Sequence, residues 1–104
     1  MDASKGKRFS IEELKALVAP IADEYGVKKV YLFGSVARGD DNEESDYDFC
    51  IERGKIDCLL TYSSFCHDLR SAIGHDVDIV TTKGAEGRPE FLKTIMNEGI
   101  VLYG

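Results

Sequence analysis

The spacing of apolar residues along the chain changes between a helical and an extended pattern. Apolar residues recur every three to four positions in 11–25, in about 58–73 and in 89–98. Between these segments lie short apolar runs, at 27–33, 47–52, 75–81 and 100–103. The pattern predicts three helices and four strands, with one further helical turn starting at Ser35. This order is typical of an α/β (α+β) domain built on one small sheet.

Signals for helix ends fall at the borders of these segments. Ser10, with Glu13 three residues later, forms a capping-box pattern before the first helix, and Gly26 follows its last apolar residue. Pro20 falls inside this helix, where a proline can introduce a kink. Because residues 1–8 are polar, we predict a flexible tail there, followed by a single domain at 9–104.

Aspartates occupy the polar face of two predicted strands. The second strand turns its aromatic residues to one face, so Asp48 points to the other, and Asp46 joins it if the strand extends that far back. On the third strand, Asp76 and Asp78 share the polar face. If the two strands are neighbours, three carboxylates converge, and a hard divalent cation such as Mg²⁺ would relieve their repulsion. A D-x-D at the start of a strand, taken on its own, is more often a turn signal. Asp76, on the same face as Asp78, is its rival for the third position.

A glycine-serine turn follows the first strand. Gly34 permits close backbone approach, Ser35 adds a hydroxyl, and Arg38 supplies a cation one helical turn later. Backbone N–H groups left unpaired at such a turn bind phosphate, so this segment is a candidate phosphate site. A Gly-Ser pair alone is more commonly just a turn.

The negative charge of the chain is concentrated beside these motifs. The formal net charge is −6, and six carboxylates lie between Asp40 and Asp48. Since nucleic-acid-binding proteins usually carry a basic stripe, we expect no direct nucleic-acid partner. We also expect no membrane association, because no apolar run approaches the roughly 20 residues of a membrane span. The N-terminus resembles no secretory signal, and the three cysteines lack the spacing of zinc sites, so we expect a cytoplasmic protein with reduced thiols.

Considered together, the motifs resemble a known family. The pattern Gly34-Ser35-x10-Asp46-x-Asp48, with the distal Asp78, resembles the signature of the polymerase-β-type nucleotidyltransferases. Within that superfamily, the segments LFGSVARGD, SDYDF, VDIVT and EGIVLYG are similar to the minimal nucleotidyltransferases, the MNT or MntA-like antitoxins. The resemblance runs over about 9–104. It implies the polymerase-β-like fold, in which helices flank a small mixed sheet.

The resemblance also implies a role for each motif residue. Asp46 and Asp48 would hold two Mg²⁺ ions, and Asp78 would hold the ion on the nucleophile side and accept a proton. Gly34 and Ser35 would cradle the β- and γ-phosphates of ATP, and Arg38 would assist them. A site of this kind moves AMP from ATP onto an acceptor hydroxyl.

The acceptor implied by the resemblance is a protein. MNT proteins typically pair with a HEPN RNase toxin and silence it by adenylylating a tyrosine, so the chain would be the antitoxin of such a pair. Three alternatives stay open: an antitoxin that acts by binding alone, an enzyme that modifies an aminoglycoside-type small molecule with a second subunit, and a globular domain with an acidic loop. A homo-oligomer also stays open, because 100–103 could pair with a copy as an edge strand.

Overall fold

The computed structural model describes residues 9–34, 37, 47–74 and 77–104. The elements in these ranges are α1 (Ile11–Tyr25), β1 (Lys29–Phe33), β2 (Tyr47–Glu52), α2 (Leu59–Ile73), β3 (Val77–Thr81), a 3₁₀ helix (Gly84–Gly87), α3 (Pro89–Glu98) and β4 (Ile100–Tyr103). The three predicted helices and four predicted strands are confirmed, in the predicted order. The tail predicted at 1–8 and the helical turn predicted at Ser35 lie outside the described residues.

The ends of α1 match the sequence signals. The Glu13 N–H donates to Ser10 Oγ at 3.1 Å, and the Ser10 N–H donates to Glu13 Oε1 at 2.8 Å, so the capping box is confirmed. The helix continues through Pro20 and ends at Gly26, whose φ of 72° is left-handed. Glycine suits this position because residues with a Cβ rarely adopt that conformation.

One predicted boundary was wrong by two residues. β1 begins at Lys29 rather than at residue 27, because the Val27 N–H donates to the Ala22 carbonyl and completes the end of α1. The segment that connects β3 to α3 contains the short 3₁₀ helix, which begins where the Gly84 N–H donates to Thr81 Oγ1 at 2.8 Å.

The four strands form one mixed sheet in the order β3-β2-β1-β4. β1 pairs antiparallel with β2 and with β4, whereas β2 pairs parallel with β3. Helix α2 supplies the crossover that a parallel pair requires. As a result, β2 and β3 both begin at the end of the sheet where β1 finishes. β4 is an edge strand, as predicted.

The two faces of the sheet are covered unequally. Helices α1 and α2 pack on one face and bury the main core, whose largest fully buried side chains include Leu14, Leu32, Tyr47, Phe49, Phe65 and Leu69. On the other face, Ile95 of α3 packs against Tyr31 and Cys50. In the described part of the chain, α3 is the one helix on this face, and its ten residues cannot cover four strands, so the face is partly open there.

A tyrosine joins the two helices of the main layer. The Tyr25 hydroxyl of α1 donates to Asp68 Oδ2 of α2 at 2.7 Å, and this hydrogen bond raises the pKa of Tyr25 to about 12.

Among the described residues, the helices are too short or too polar to cross a lipid bilayer.

Candidate active site

Two of the predicted carboxylates lie side by side at the start of two parallel strands. Asp48 and Asp78 are each the second residue of their strand, and they are paired in the register of β2 and β3. Neighbouring strands lie about 4.8 Å apart, and residues paired in register point to the same face. Asp48 is partly buried and Asp78 is exposed. The two strands are thus neighbours, which is the condition on which the predicted convergence of carboxylates depended.

The alternation within β2 assigns these carboxylates to the partly open face. Tyr47 and Phe49 are fully buried in the core beneath α1 and α2, so Asp48 points away from that core. Across the sheet, Asp48 is paired with Phe33, the last residue of β1. The face therefore presents an aromatic side chain on one flank of Asp48 and a second carboxylate on the other.

Gly34 is fitted closely against the Asp48 carboxylate. Its φ is 82°, a conformation that glycine adopts readily and residues with a side chain rarely do. A Cβ at this position would overlap Asp48 Oδ2 and would lie 3.1 Å from Asp48 Cγ. The glycine predicted to permit close approach thus permits a carboxylate to lie against the backbone.

The donor set fits a hard divalent cation. Asp48 and Asp78 offer carboxylate oxygens, which Mg²⁺ prefers, from neighbouring positions of a face that α3 covers only in part. Within the described ranges, no third histidine, cysteine or acidic side chain joins them in a metal-binding group. The third predicted ligand, Asp46, lies outside those ranges, so the complete ligand set stays a prediction.

The structure describes half of the predicted site. Gly34, Asp48 and Asp78 lie together at one edge of the sheet. Ser35, Arg38 and Asp46 lie outside the described residues, as does Asp76, the rival of Asp78. The roles assigned to all six site residues stay predictions.

Two ionisable groups on the same face as the carboxylates, Cys50 and Tyr31, stay protonated at neutral pH. Cys50, two residues after Asp48 and on the same face, is fully buried, and this burial raises the pKa of its thiol to about 11. Burial likewise raises the pKa of Tyr31, whose hydroxyl donates to Glu52 Oε2 at 3.3 Å. Neither group supplies a nucleophile or an anionic ligand at pH 7, so the described part of the site relies on its aspartates.

Sequence patterns did not reveal an aromatic stack beside the carboxylates. The ring of Phe91 meets the ring of Phe33 edge-on, with centroids 5.6 Å apart, and the Arg88 guanidinium lies 4.5 Å from the Phe91 centroid. The contact joins the end of β1 to the start of α3, more than fifty residues later in the chain. No local spacing signals a contact of such separation.

A cavity of ≈ 360 Å³ opens at the opposite end of the parallel strands. Its lining comes from the residues that follow β2, the start of α2 and the end of β3, and includes Arg53, Cys58, Tyr62 and Lys83. None of its lining residues is a predicted site residue. The cavity is therefore separate from the carboxylate pair.

Comparison with known proteins identifies relatives over most of the chain. The family model described as "Polymerase beta, Nucleotidyltransferase" matches residues 16–104. A relative from Methanocaldococcus jannaschii, "Putative protein adenylyltransferase MJ0435", is 33% identical over 92 residues, which cover 88% of this chain and 97% of the relative.

Solved structures share the fold. A minimal nucleotidyltransferase superposes with a TM-score of 0.75 at 29% identity, over 90% of this chain and 97% of the other. A toxin–antitoxin structure with AMP-PNP gives a TM-score of 0.71 at 22% identity, over 86% and 73% of the two chains. A complex of the MNT antitoxin with the tri-AMPylated HEPN toxin of Shewanella oneidensis gives 0.67 at 18% identity, over 91% and 73%.

Proposed function

Since the chain belongs to the polymerase-β nucleotidyltransferase family, we propose that it is a Mg²⁺-dependent protein adenylyltransferase. It moves AMP from ATP onto the hydroxyl group of a tyrosine in a partner HEPN toxin and thereby acts as the antitoxin. The observation that carries this proposal is the pairing of Asp48 with Asp78 in register, with Gly34 packed against Asp48.

The carboxylates take complementary roles in the proposed transfer. Asp46 and Asp48 would hold both Mg²⁺ ions, and Asp78, on the neighbouring strand, would hold the ion on the side of the acceptor. Bound Mg²⁺ neutralises the charge on the reacting phosphate and on the leaving oxygen. The acceptor hydroxyl then attacks the α-phosphorus in line. A bond forms between the acceptor oxygen and phosphorus, the bond to pyrophosphate breaks, and Asp78 takes the hydroxyl proton.

Phosphate positioning falls to the turn after β1. Gly34 has no side chain between its backbone and Asp48. In this proposal the triphosphate binds the Gly34 backbone and so lies next to the Asp48 carboxylate. Ser35 and Arg38 follow in the chain and hold the β- and γ-phosphates in this proposal. Phosphoryl transfer needs positioning and charge neutralisation more than covalent participation by the protein.

The choice of a protein acceptor is supported by the neighbours and by the open face. One structural neighbour is an MNT antitoxin in complex with an AMPylated HEPN toxin. In this chain, Asp78 is exposed on a face that α3 covers only in part, so a side chain of another protein has access to it.

We propose a cytoplasmic chain with one domain at 9–104 after a tail at 1–8.

Intact-mass spectrometry of the pair tests the proposal. The chain is purified with the HEPN protein encoded beside it and incubated with ATP and Mg²⁺. We expect the partner to gain mass in steps of one AMP. Asp48→Asn should abolish the gain, whereas the matched variant Asp57→Asn, which removes an exposed aspartate from the segment between β2 and α2, should not.

Each alternative predicts a different result in the same experiment. An antitoxin that acts by binding alone gives no mass gain, and its Asp48→Asn variant still inhibits the toxin's RNase activity. An enzyme acting on a small molecule transfers AMP to an aminoglycoside and leaves the partner unmodified. Either result would overturn the proposed acceptor.

A further inference from the structure

The Phe91 ring connects the Arg88 guanidinium to Phe33, the register partner of Asp48, and we infer that Arg88 binds the triphosphate tail of the nucleotide. This inference rests on the proposed function, because it adds a residue to the same site. It assigns Arg88 a contact with the phosphates that leave as pyrophosphate.

One register pair and two ring contacts connect Asp48 to the Arg88 guanidinium. Phe33 is the register partner of Asp48 across β1 and β2. The Phe91 ring lies edge-on to the Phe33 ring at 5.6 Å and 82°. The Arg88 guanidinium carbon lies 4.5 Å from the centroid of the Phe91 ring. The stack therefore begins at Phe33, next to Asp48, and ends in the positive charge of Arg88 on the same face of the sheet.

The sheet order determines which flank of the site Arg88 occupies. Asp48 lies on β2, between β3, which carries Asp78, and β1, which carries Phe33. In an in-line displacement the attacking and leaving oxygens lie on opposite sides of the phosphorus. If the acceptor is on the Asp78 flank, the leaving pyrophosphate is on the β1 flank. That flank carries Gly34, directly after Phe33, and the stack that ends in Arg88.

The chemistry of Arg88 suits a phosphate ligand. A guanidinium stays charged, and its fork of N–H donors matches two phosphate oxygens. Arg88 is exposed, so its guanidinium is accessible to a ligand. The Phe91 ring attracts the guanidinium by a cation–π interaction and so limits the positions that the side chain adopts.

Arg88 itself lines an open groove at the start of α3. A groove of ≈ 390 Å³ is lined by Arg88, Pro89, Glu90 and Phe91. Glu90 opposes an anion in this groove, so Glu90→Gln should leave nucleotide affinity unchanged or raise it. The groove belongs to the start of α3, which places the proposed contact outside the glycine-serine motif.

Calorimetric titration of the full chain tests this inference. AMP-PNP and AMP are titrated separately, in the presence of Mg²⁺, into the wild type, Arg88→Gln and the matched variant Lys93→Gln, which removes an exposed charge from the same helix. Loss of a charge-assisted phosphate contact should weaken AMP-PNP binding roughly tenfold in Arg88→Gln. AMP, which lacks the β- and γ-phosphates, should bind the three proteins within about twofold. Arg88→Lys keeps the charge and should recover part of the affinity, and Phe91→Leu should lose part of it.

Two results would overturn the inference. In the first, Arg88→Gln binds AMP-PNP as tightly as Lys93→Gln does. In the second, Arg88→Gln loses affinity equally for AMP-PNP and AMP, as expected if Arg88 only maintains the fold. If the wild type transfers AMP and Arg88→Gln is unaffected, the inference fails alone. If the wild type neither binds AMP-PNP nor transfers AMP, the proposed function fails as well.

Discussion

Replacing Gly34 with alanine adds one methyl group at the contact between the end of β1 and the Asp48 carboxylate. The added group has two separable costs. The φ of 82° is left-handed, and an alanine held there is strained by about 1–2 kcal/mol. In addition, the new Cβ overlaps Asp48 Oδ2 and lies 3.1 Å from Asp48 Cγ, so the carboxylate must move.

These two costs affect different measurements. Backbone strain lowers the melting temperature by roughly 4–8 °C per kcal/mol in a domain of about this size. Displacement of a catalytic group by about 1 Å lowers the rate about 100-fold. We therefore expect Gly34→Ala to be folded, moderately less stable, and about 100-fold slower in AMP transfer.

Gly74 provides a matched control for the backbone strain. Its φ of 74° is close to that of Gly34, but a Cβ at Gly74 would meet no atom of the described residues within 4 Å. Gly74→Ala should lower the melting temperature by a similar amount and leave the rate of transfer near that of the wild type. The reasoning is refuted if Gly34→Ala keeps the wild-type rate, or if both variants lose activity equally.

Three further predictions concern stability and reactivity. Ser10→Ala removes the capping box of α1 and should lower the free energy of unfolding by about 1 kcal/mol in urea denaturation. Folding raises the pKa of Tyr25 from 10.0 to about 12 through its hydrogen bond to Asp68. This hydrogen bond therefore stabilises the folded protein fully below pH 10, and the stabilisation is lost as the pH rises towards 12. Thermal melts at increasing pH should show this loss in the wild type and not in Tyr25→Phe. Cys58 is exposed, and the hydrogen bond with Thr61 lowers the pKa of its thiol, whereas the other two cysteines are buried. A thiol reagent at pH 8 should therefore modify one cysteine in the folded protein and three in urea.

Local patterns predicted most of the fold. Helical spacing and the capping box at Ser10 identified the helices, because each signal depends on residues within one or two turns. The alternation in β2 likewise placed Asp48 opposite the core, as found. The errors fell at ends, where Val27 is used to complete α1 instead of extending β1.

Contacts between distant segments could not be predicted in this way. The aspartates were expected to converge only if their strands were neighbours, and the parallel pairing of β2 with β3 depends on the crossover through α2. The Phe33–Phe91–Arg88 stack depends on how α3 packs across the sheet. Such contacts reflect packing of whole elements, which single-sequence spacing does not encode.

Transfer of labelled phosphate from ATP to the HEPN partner tests the central claim most directly. The chain and its partner are incubated with Mg²⁺ and ATP labelled either at the α-phosphate or at the γ-phosphate. The account predicts that the α label becomes covalently attached to the partner and that the γ label is released in pyrophosphate. Attachment of the γ label, or a stable complex in which neither label is attached, would contradict it.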